Sequence, residues 1–386
     1  MEKKIHLYHL THKLHSATQL MVRTPPKGYK FVLQEKKLKQ KIFEAFFNSK
    51  LIKTLYRKFF KKIVKPSLKS NSIDIPKNID LVFSTGLLLD IKSPWIVEIM
   101  DHPASLAGYD FNLFMKHKNE IEKNLLSAYC KRIIAVNEAS FKLMRKYFNS
   151  KVNDKTVLIR AAVEKPKLKK VKKEKIRIIF IGSISNPEDF YIKGGLEALE
   201  AFKRVSEEIK NVEFFVRCKV PDEIVKKYEN VRGLKILNKS LGQNEWKNLM
   251  QSVDICLNPG HVYPLMATLE SMSYGIPIIM LDTYGVRDYL TNGKNAILVK
   301  PSDKITGYKS KEYPLNIRSK EFIEEIKQMD KQVIERLSAA LKKLILNQNL
   351  REKLGKNARR DVEKKFSIEL RNKKLKKVFD DAVKNI

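Results

Sequence analysis

Cysteine is scarce: Cys130, Cys218 and Cys256 are the only three in 386 residues, far apart and without paired spacing. That excludes a zinc framework and a disulfide scaffold, and it points to a reducing cytosol. Long apolar runs are missing as well. No stretch approaches the ~20 apolar residues that a membrane-spanning helix needs, and the N-terminal MEKKIHLYHL lacks the shape of a signal peptide. The expectation is a cytoplasmic protein that neither spans a membrane nor is secreted. Acidic residues are outnumbered, 43 Asp and Glu against 77 Lys and Arg, for a formal net charge of +34. Such a surface attracts anions: phosphate-bearing small molecules, acidic lipid head groups or nucleic acid. No recognised RNA- or DNA-binding motif accompanies the charge, so nucleic acid is not the expected partner.

Hydrophobic residues at 43% and charged residues at 31% fit a globular chain, long enough for two domains that each bury a core. Ile79–Leu89 and Pro94–Met100 are short β-type runs, followed by helical Asn119–Tyr129, strand Arg132–Val136, helix Ala139–Phe148 and strand Thr156–Ile159. Strands alternating with helices predict a parallel, doubly wound domain over residues 1–163. Glu164–Lys175, with seven lysines and no core, reads as a linker. A second βαβ series opens at Ile176–Ile181 and runs to residue 366, and residues 367–386 form a last helix. The fold class is α/β.

Two features of the first half remain apart from that alternation. His6, His9, His12 and His15 recur every third residue. On a helix they drift by about 60° per step, so they cannot meet one metal, and no metal is assigned. Residues 36–69 hold twelve Lys and Arg against one Glu, interleaved with apolar residues at 3/4 spacing, including Phe43, Phe46, Phe47, Phe59 and Phe60. The segment reads either as a core helix with a solvated basic face or as an amphipathic helix meeting an anionic membrane.

Chemistry concentrates further along. After Pro94–Met100 come Asp101 and His102, where a parallel strand would deliver an active site. The first strand of the second half ends at Gly182 and Ser183, and Lys193-Gly194-Gly195 opens the next helix. A helix N-terminus with a lysine beside it makes a diphosphate site, although Lys193 also reads as an ordinary solvated lysine. Val253–Pro301 then gives strand, loop, helix and strand. Leu265, Met266, Leu269 and Met272 stand at helical spacing, and Ile276–Leu281 is apolar enough to be buried on both faces. Glu270 lies in that helix, as a ligand-facing carboxylate or a solvated one.

The order of strand, Gly182-Ser183, Lys193-Gly194, then NPG, LESMSYGIPII and YGVRDYLTNGKNAILV resembles the C-terminal donor domain of retaining, family-4 type glycosyltransferases. LREKLGKNARRDVEKKFS is similar to that family's closing helices, and the resemblance covers Ile79–Ile386. It implies a GT-B architecture: two Rossmann-like domains facing a cleft, with the C-terminal helix crossing back to the first. It further implies transfer of a sugar from a UDP- or GDP-sugar to a glycan or lipid-linked acceptor, without metal or cofactor. Glu270 falls at the family's ribose-binding glutamate and Lys193 at its phosphate-binding lysine. The amides of Leu265, Met266 and Ala267 would share the diphosphate, and Asp101 or His102 would face the transferred sugar. This chain departs from the pattern at Ser183, which replaces an arginine; Arg217 or Lys219 are candidates to supply the missing cation. It departs again at Val262, which replaces a sugar-binding glutamate that His261 could substitute, and in Ile5–Val22, which has no glycine. A catalytically degenerate GT-B protein that binds glycan or membrane is the alternative.

Overall fold

The computed structural model describes residues 2–9, 14–33, 75–168, 171, 174–308, 317 and 319–384. The basic segment 36–69 and His12 lie outside the described residues. The chain divides into two compact units, one of residues 1–159 with 372–386, the other of residues 160–371. The lysine-rich run 164–175 therefore falls within the second unit.

The first unit holds six strands: β1 (Lys3–Tyr8), β2 (Tyr29–Leu33), β3 (Leu81–Thr85), β4 (Trp95–Ile99), β5 (Cys130–Ala135) and β6 (Thr156–Leu158). All pair in parallel, in the order β2-β1-β3-β4-β5-β6. Alternate residues of the central strands, among them Ile5, Leu7, Phe83 and Ile134, face one core. Leu375, Val378 and Phe379, from the helix Ile368–Lys384, close that core. Phe379 meets Tyr29 and Phe83 edge-on at centroid distances of 5.2 and 6.2 Å.

The second unit holds β7 (Ile176–Ile181), β8 (Val212–Arg217), β9 (Leu234–Ile236), β10 (Ile255–Leu257), β11 (Ile278–Leu281) and β12 (Ala296–Val299). They form a second parallel sheet, in the order β12-β11-β10-β7-β8-β9. The apolar runs follow from burial on both faces. Along β7, Ile178 and Phe180 enter a core with Phe190, Phe202 and Leu341, while Ile179 and Ile181 enter another with Leu269, Met272 and Phe366. Two sheets of six parallel strands with covering helices make an α/β protein of GT-B type. In the polar stretch 303–331 the described residues include the α-helix Lys320–Lys327, which buries Phe322, Ile323 and Ile326. Among the described residues no helix is long and apolar enough to cross a membrane.

Candidate functional site

In the second sheet the strand order reverses between β7 and β10, and ligands of such sheets bind beyond the carboxyl ends of the strands at that point. Gly182 follows β7 and Asn258 follows β10. Where the two strands diverge, Asn258 bridges them: its buried Oδ1 accepts from the Ile181 N–H at 2.9 Å and its Nδ2 donates to the Ile181 carbonyl at 3.1 Å. The next residues press on the start of the helix Gly195–Glu208. A Cβ at Gly194 would stand 2.0 Å from the Pro259 carbonyl oxygen, and its φ of +77° favours glycine independently. His261 N–H donates to the Ile192 carbonyl at 3.0 Å. Half-buried Lys193 is thus held beside the 258–261 loop by backbone contacts on either side of it.

On the other flank, Gly182 and Ser183 pair with the end of β8. Gly182 N–H donates to the Arg217 carbonyl at 2.8 Å, and the Lys219 N–H to the Ser183 carbonyl at 2.8 Å. A Cβ at Gly182 would lie 2.3 Å from the Cys218 sulfur, so the strand end can approach only as glycine. Burial pushes the Cys218 thiol up to about 12, which makes it a packing residue. Arg217 curls back: Nη1 donates to the Gly182 carbonyl at 2.9 Å, and the guanidinium lies 5.5 Å from the centre of the Trp246 ring. Lys219 is exposed.

Trp246, in the helix Gln243–Ser252, donates its indole N–H to Glu270 Oε1 at 2.6 Å. Burial raises the Glu270 pKa above its usual value; the Trp246 hydrogen bond and the Arg217 charge oppose that rise, and Glu164 adds to it. Glu270 belongs to the helix Leu265–Ser273. Most of this helix is buried, but Met266, Ala267 and Glu270 are partly open, as is Tyr274 after it. That 3/4 spacing defines one accessible stripe. Leu265 is buried, with its N–H on the Tyr263 carbonyl at 3.2 Å. The N–H groups of Met266 and Ala267, in the first turn, have no intrahelical acceptor. The stripe therefore carries two anion-seeking amides at one end and a carboxylate one turn on.

His261 lies inside the unit, 2% exposed. Nε2 is 2.8 Å from Glu197 Oε1, and Nδ1 is 2.6 Å from the Tyr308 hydroxyl. Val262 is buried as well. Both ring nitrogens of His261 are thus engaged internally, by a carboxylate in the first turn of the helix that Lys193 precedes and by a phenol.

In the first unit, Asp101 and His102 follow β4 and part company. Asp101 is half-buried and accepts a hydrogen bond from the Tyr109 hydroxyl, whose pKa is raised by burial first and by Asp101 second. His102 is fully buried; its Nδ1 accepts from the Ala104 N–H at 2.9 Å and caps the short turn Pro103–Ala107. The rings of Phe111, Phe114 and Tyr147 surround it at 5.6–6.2 Å. Of the N-terminal histidines, His6 is buried within β1 and His15 caps the helix Ser16–Arg23. Among the described residues no group of three or more His, Cys, Asp or Glu could hold a metal ion.

The structure thus gathers Gly182, Ser183, Arg217 and Glu270, with Lys193 and the Leu265–Ala267 turn, around one end of one sheet. Trp246 joins them although no motif marks it. Its one advance signal is rarity, since the chain has two tryptophans and the other, Trp95, is fully buried in β4.

Comparison with known proteins bears on the family profile and the fold. Residues 175–310 match the profile of the family described as Glycosyl transferases group 1. A glycosyltransferase from Rickettsia africae superposes with a TM-score of 0.60 at 13% identity, over 100% of both chains. HepE from Anabaena, solved with UDP and glucose, superposes with a TM-score of 0.62 at 11% identity, over 98% of this chain and 100% of its own. WaaG, a glycosyltransferase involved in lipopolysaccharide biosynthesis, gives 0.54 at 13% identity, over 97% and 99%. Among curated proteins nothing matches significantly. Residues 175–310 thus match a Glycosyl transferases group 1 profile, and the chain has the fold of GT-B glycosyltransferases.

Proposed function

We propose that the protein is a retaining, metal-independent glycosyltransferase that moves a sugar from a UDP- or GDP-sugar to a glycan or lipid-linked acceptor. The observation that carries this reading is the convergence of Glu270, Arg217, Lys193 and the first turn of the Leu265–Ser273 helix on the β7/β10 switch point. The HepE structures, solved with UDP and with UDP-glucose, favour uridine as the base. In the transfer, the bond from the anomeric carbon to the diphosphate oxygen breaks and a bond to an acceptor hydroxyl oxygen forms. The electron pair leaves with the diphosphate, whose departing oxygen takes up the proton that the hydroxyl gives up. Lys193 and the Met266 and Ala267 amides stabilise the charge on the leaving diphosphate. Arg217 supplies the cation that Ser183 lacks, since it is anchored on the Gly182 carbonyl while Lys219 points into solvent-exposed surface. Glu270 accepts from the ribose hydroxyls.

In the first unit we assign the role at the transferred sugar to Asp101. His102 is committed to capping and to its aromatic surround. We further assign the protein to the cytoplasm, with segment 36–69 as a peripheral contact to anionic membrane. Transfer and hydrolysis with a panel of UDP- and GDP-sugars test the reading, with the anomeric configuration of the product testing retention. Donor turnover that Lys193→Ala and Glu270→Ala both lower by orders of magnitude is the expected result. Absence of binding to every nucleotide sugar, with an intact fold, would leave the degenerate binding protein as the better description, which the inward-facing His261 and the buried Val262 favour.

A further inference from the structure

Trp246 has no role in the donor reading above, yet its geometry is specific. An indole N–H only donates, so it selects an oxygen acceptor and fixes its direction. Here it takes Glu270 Oε1 at 2.6 Å from a neighbouring helix. An ionised carboxylate can accept about four hydrogen bonds, so Oε2 and the remaining lone pair of Oε1 stay available. The face of the same ring seats the Arg217 guanidinium, an arrangement favoured by the ring quadrupole. Arg217 and Glu270 attract one another, but among the described residues they form no direct ion pair. A bidentate arginine would occupy both carboxylate oxygens. The indole thus contacts both charged groups, the carboxylate through its N–H and the guanidinium through its face.

On the basis of the donor-site reading, we propose that Trp246 is the positioning residue for ribose recognition: its N–H orients the Glu270 carboxylate toward the ribose hydroxyls and its ring holds Arg217 apart from that carboxylate. Glu270 is faced by Arg217 from the end of β8, by Glu164 from the segment before β7, by Tyr274 from the end of its own helix and by Cys256 from β10. Trp246 is the neighbour that bonds the carboxylate, and this bond favours the charged form against burial.

The test uses the full chain, UDP and 2′-deoxy-UDP, with the GDP pair in parallel, by titration calorimetry between pH 5 and 8. Wild type is expected to prefer the ribonucleotide by about tenfold, the scale of a hydrogen bond to a charged group. Trp246→Phe keeps a ring under Arg217 but loses the donor. Its preference should fall to within about twofold, since the ribose contribution is lost while the rest of the binding is kept. Its acid limb of UDP binding should also move to higher pH, because the charged carboxylate has lost a stabilising bond. In a Glu270→Ala background, Trp246→Phe should change the preference no further. An unchanged preference in Trp246→Phe, or equal weakening of both nucleotides with an unmoved pH profile, overturns the proposal and leaves the donor site standing. Failure of wild type to bind either ribonucleotide overturns the donor reading itself, and this inference with it.

Discussion

Replacing Glu270 by glutamine separates what the carboxylate does for the fold from what it does for a nucleotide. Glutamine is nearly isosteric, and its carbonyl oxygen can still accept the Trp246 indole N–H that now bonds Oε1. Burial holds the Glu270 pKa above its usual value in spite of Trp246 and Arg217. A glutamate raised in the folded state binds its proton more tightly there than in the unfolded chain. Its favourable contribution is therefore complete below the ordinary carboxylate range and is lost as pH rises through the folded pKa. At pH 7 the wild type bears the cost of a charged, partly desolvated carboxylate, and Glu270→Gln removes it. The variant should melt higher than wild type at pH 7, by ~2–4 °C for each kcal/mol recovered in a unit of this size. The difference should shrink toward zero below pH 4.5. Nucleotide binding should move the opposite way. Exchanging a charged acceptor for a neutral one on the ribose hydroxyls forfeits ~1–2 kcal/mol, roughly a 5- to 30-fold rise in Kd for UDP. Scanning calorimetry across pH and titration calorimetry with UDP read the two halves. A variant that melts no higher than wild type at pH 7 and binds UDP as tightly would refute the argument that burial of Glu270 is maintained for ligand.

Lys193→Ala should lower kcat by about 100- to 1,000-fold with a smaller change in KM, the pattern of a group that stabilises developing charge; steady-state kinetics with the preferred donor measure it. Asp101→Asn should cut turnover with little change in Tm, whereas His102→Ala should lower Tm by removing a buried cap and leave kcat per folded molecule near wild type. The reverse pattern would reassign the reactive role to His102. Asn258→Ala strips both the N–H and the carbonyl of Ile181 of their partner, at ~1–3 kcal/mol per unsatisfied group, and thermal melts should show that loss before any assay of donor binding. For segment 36–69, flotation with anionic liposomes should fail when its lysines are neutralised, and unaltered flotation would reject a membrane role.

What the sequence made legible, and what it hid, follows from the distance over which each feature is decided. β7 and β11 are readable because burial on both faces demands an unbroken apolar run, and Ile176–Ile181 and Ile278–Leu281 supply it locally. The Glu270 helix is readable for the same reason, through 3/4 spacing closed by Gly275 and Pro277. The strand Tyr29–Leu33 is not: as the edge of its sheet it is exposed at Lys30 and Leu33, and its pattern is that of a loop. Side-chain direction is harder still. Asp101-His102-Pro103 reads as one reactive cluster until Phe111, Phe114 and Tyr147, from two later helices, enclose the imidazole and leave the carboxylate half open. The His261 ring is turned by Glu197, 64 residues earlier, and by Tyr308, 47 later. Trp246 reaches Glu270 across 24 residues and a strand. These three long-range contacts share a consequence for chemistry. On the donor-site reading the motif residues mark the places of a diphosphate and a ribose, but residues outside the motif bond Glu270 and shift its ionisation, and withdraw His261 from solvent. On that same reading, the phosphate and ribose end follows the family pattern, while the sugar end, with Val262 and His261 buried, must take its contacts from groups that the pattern does not specify.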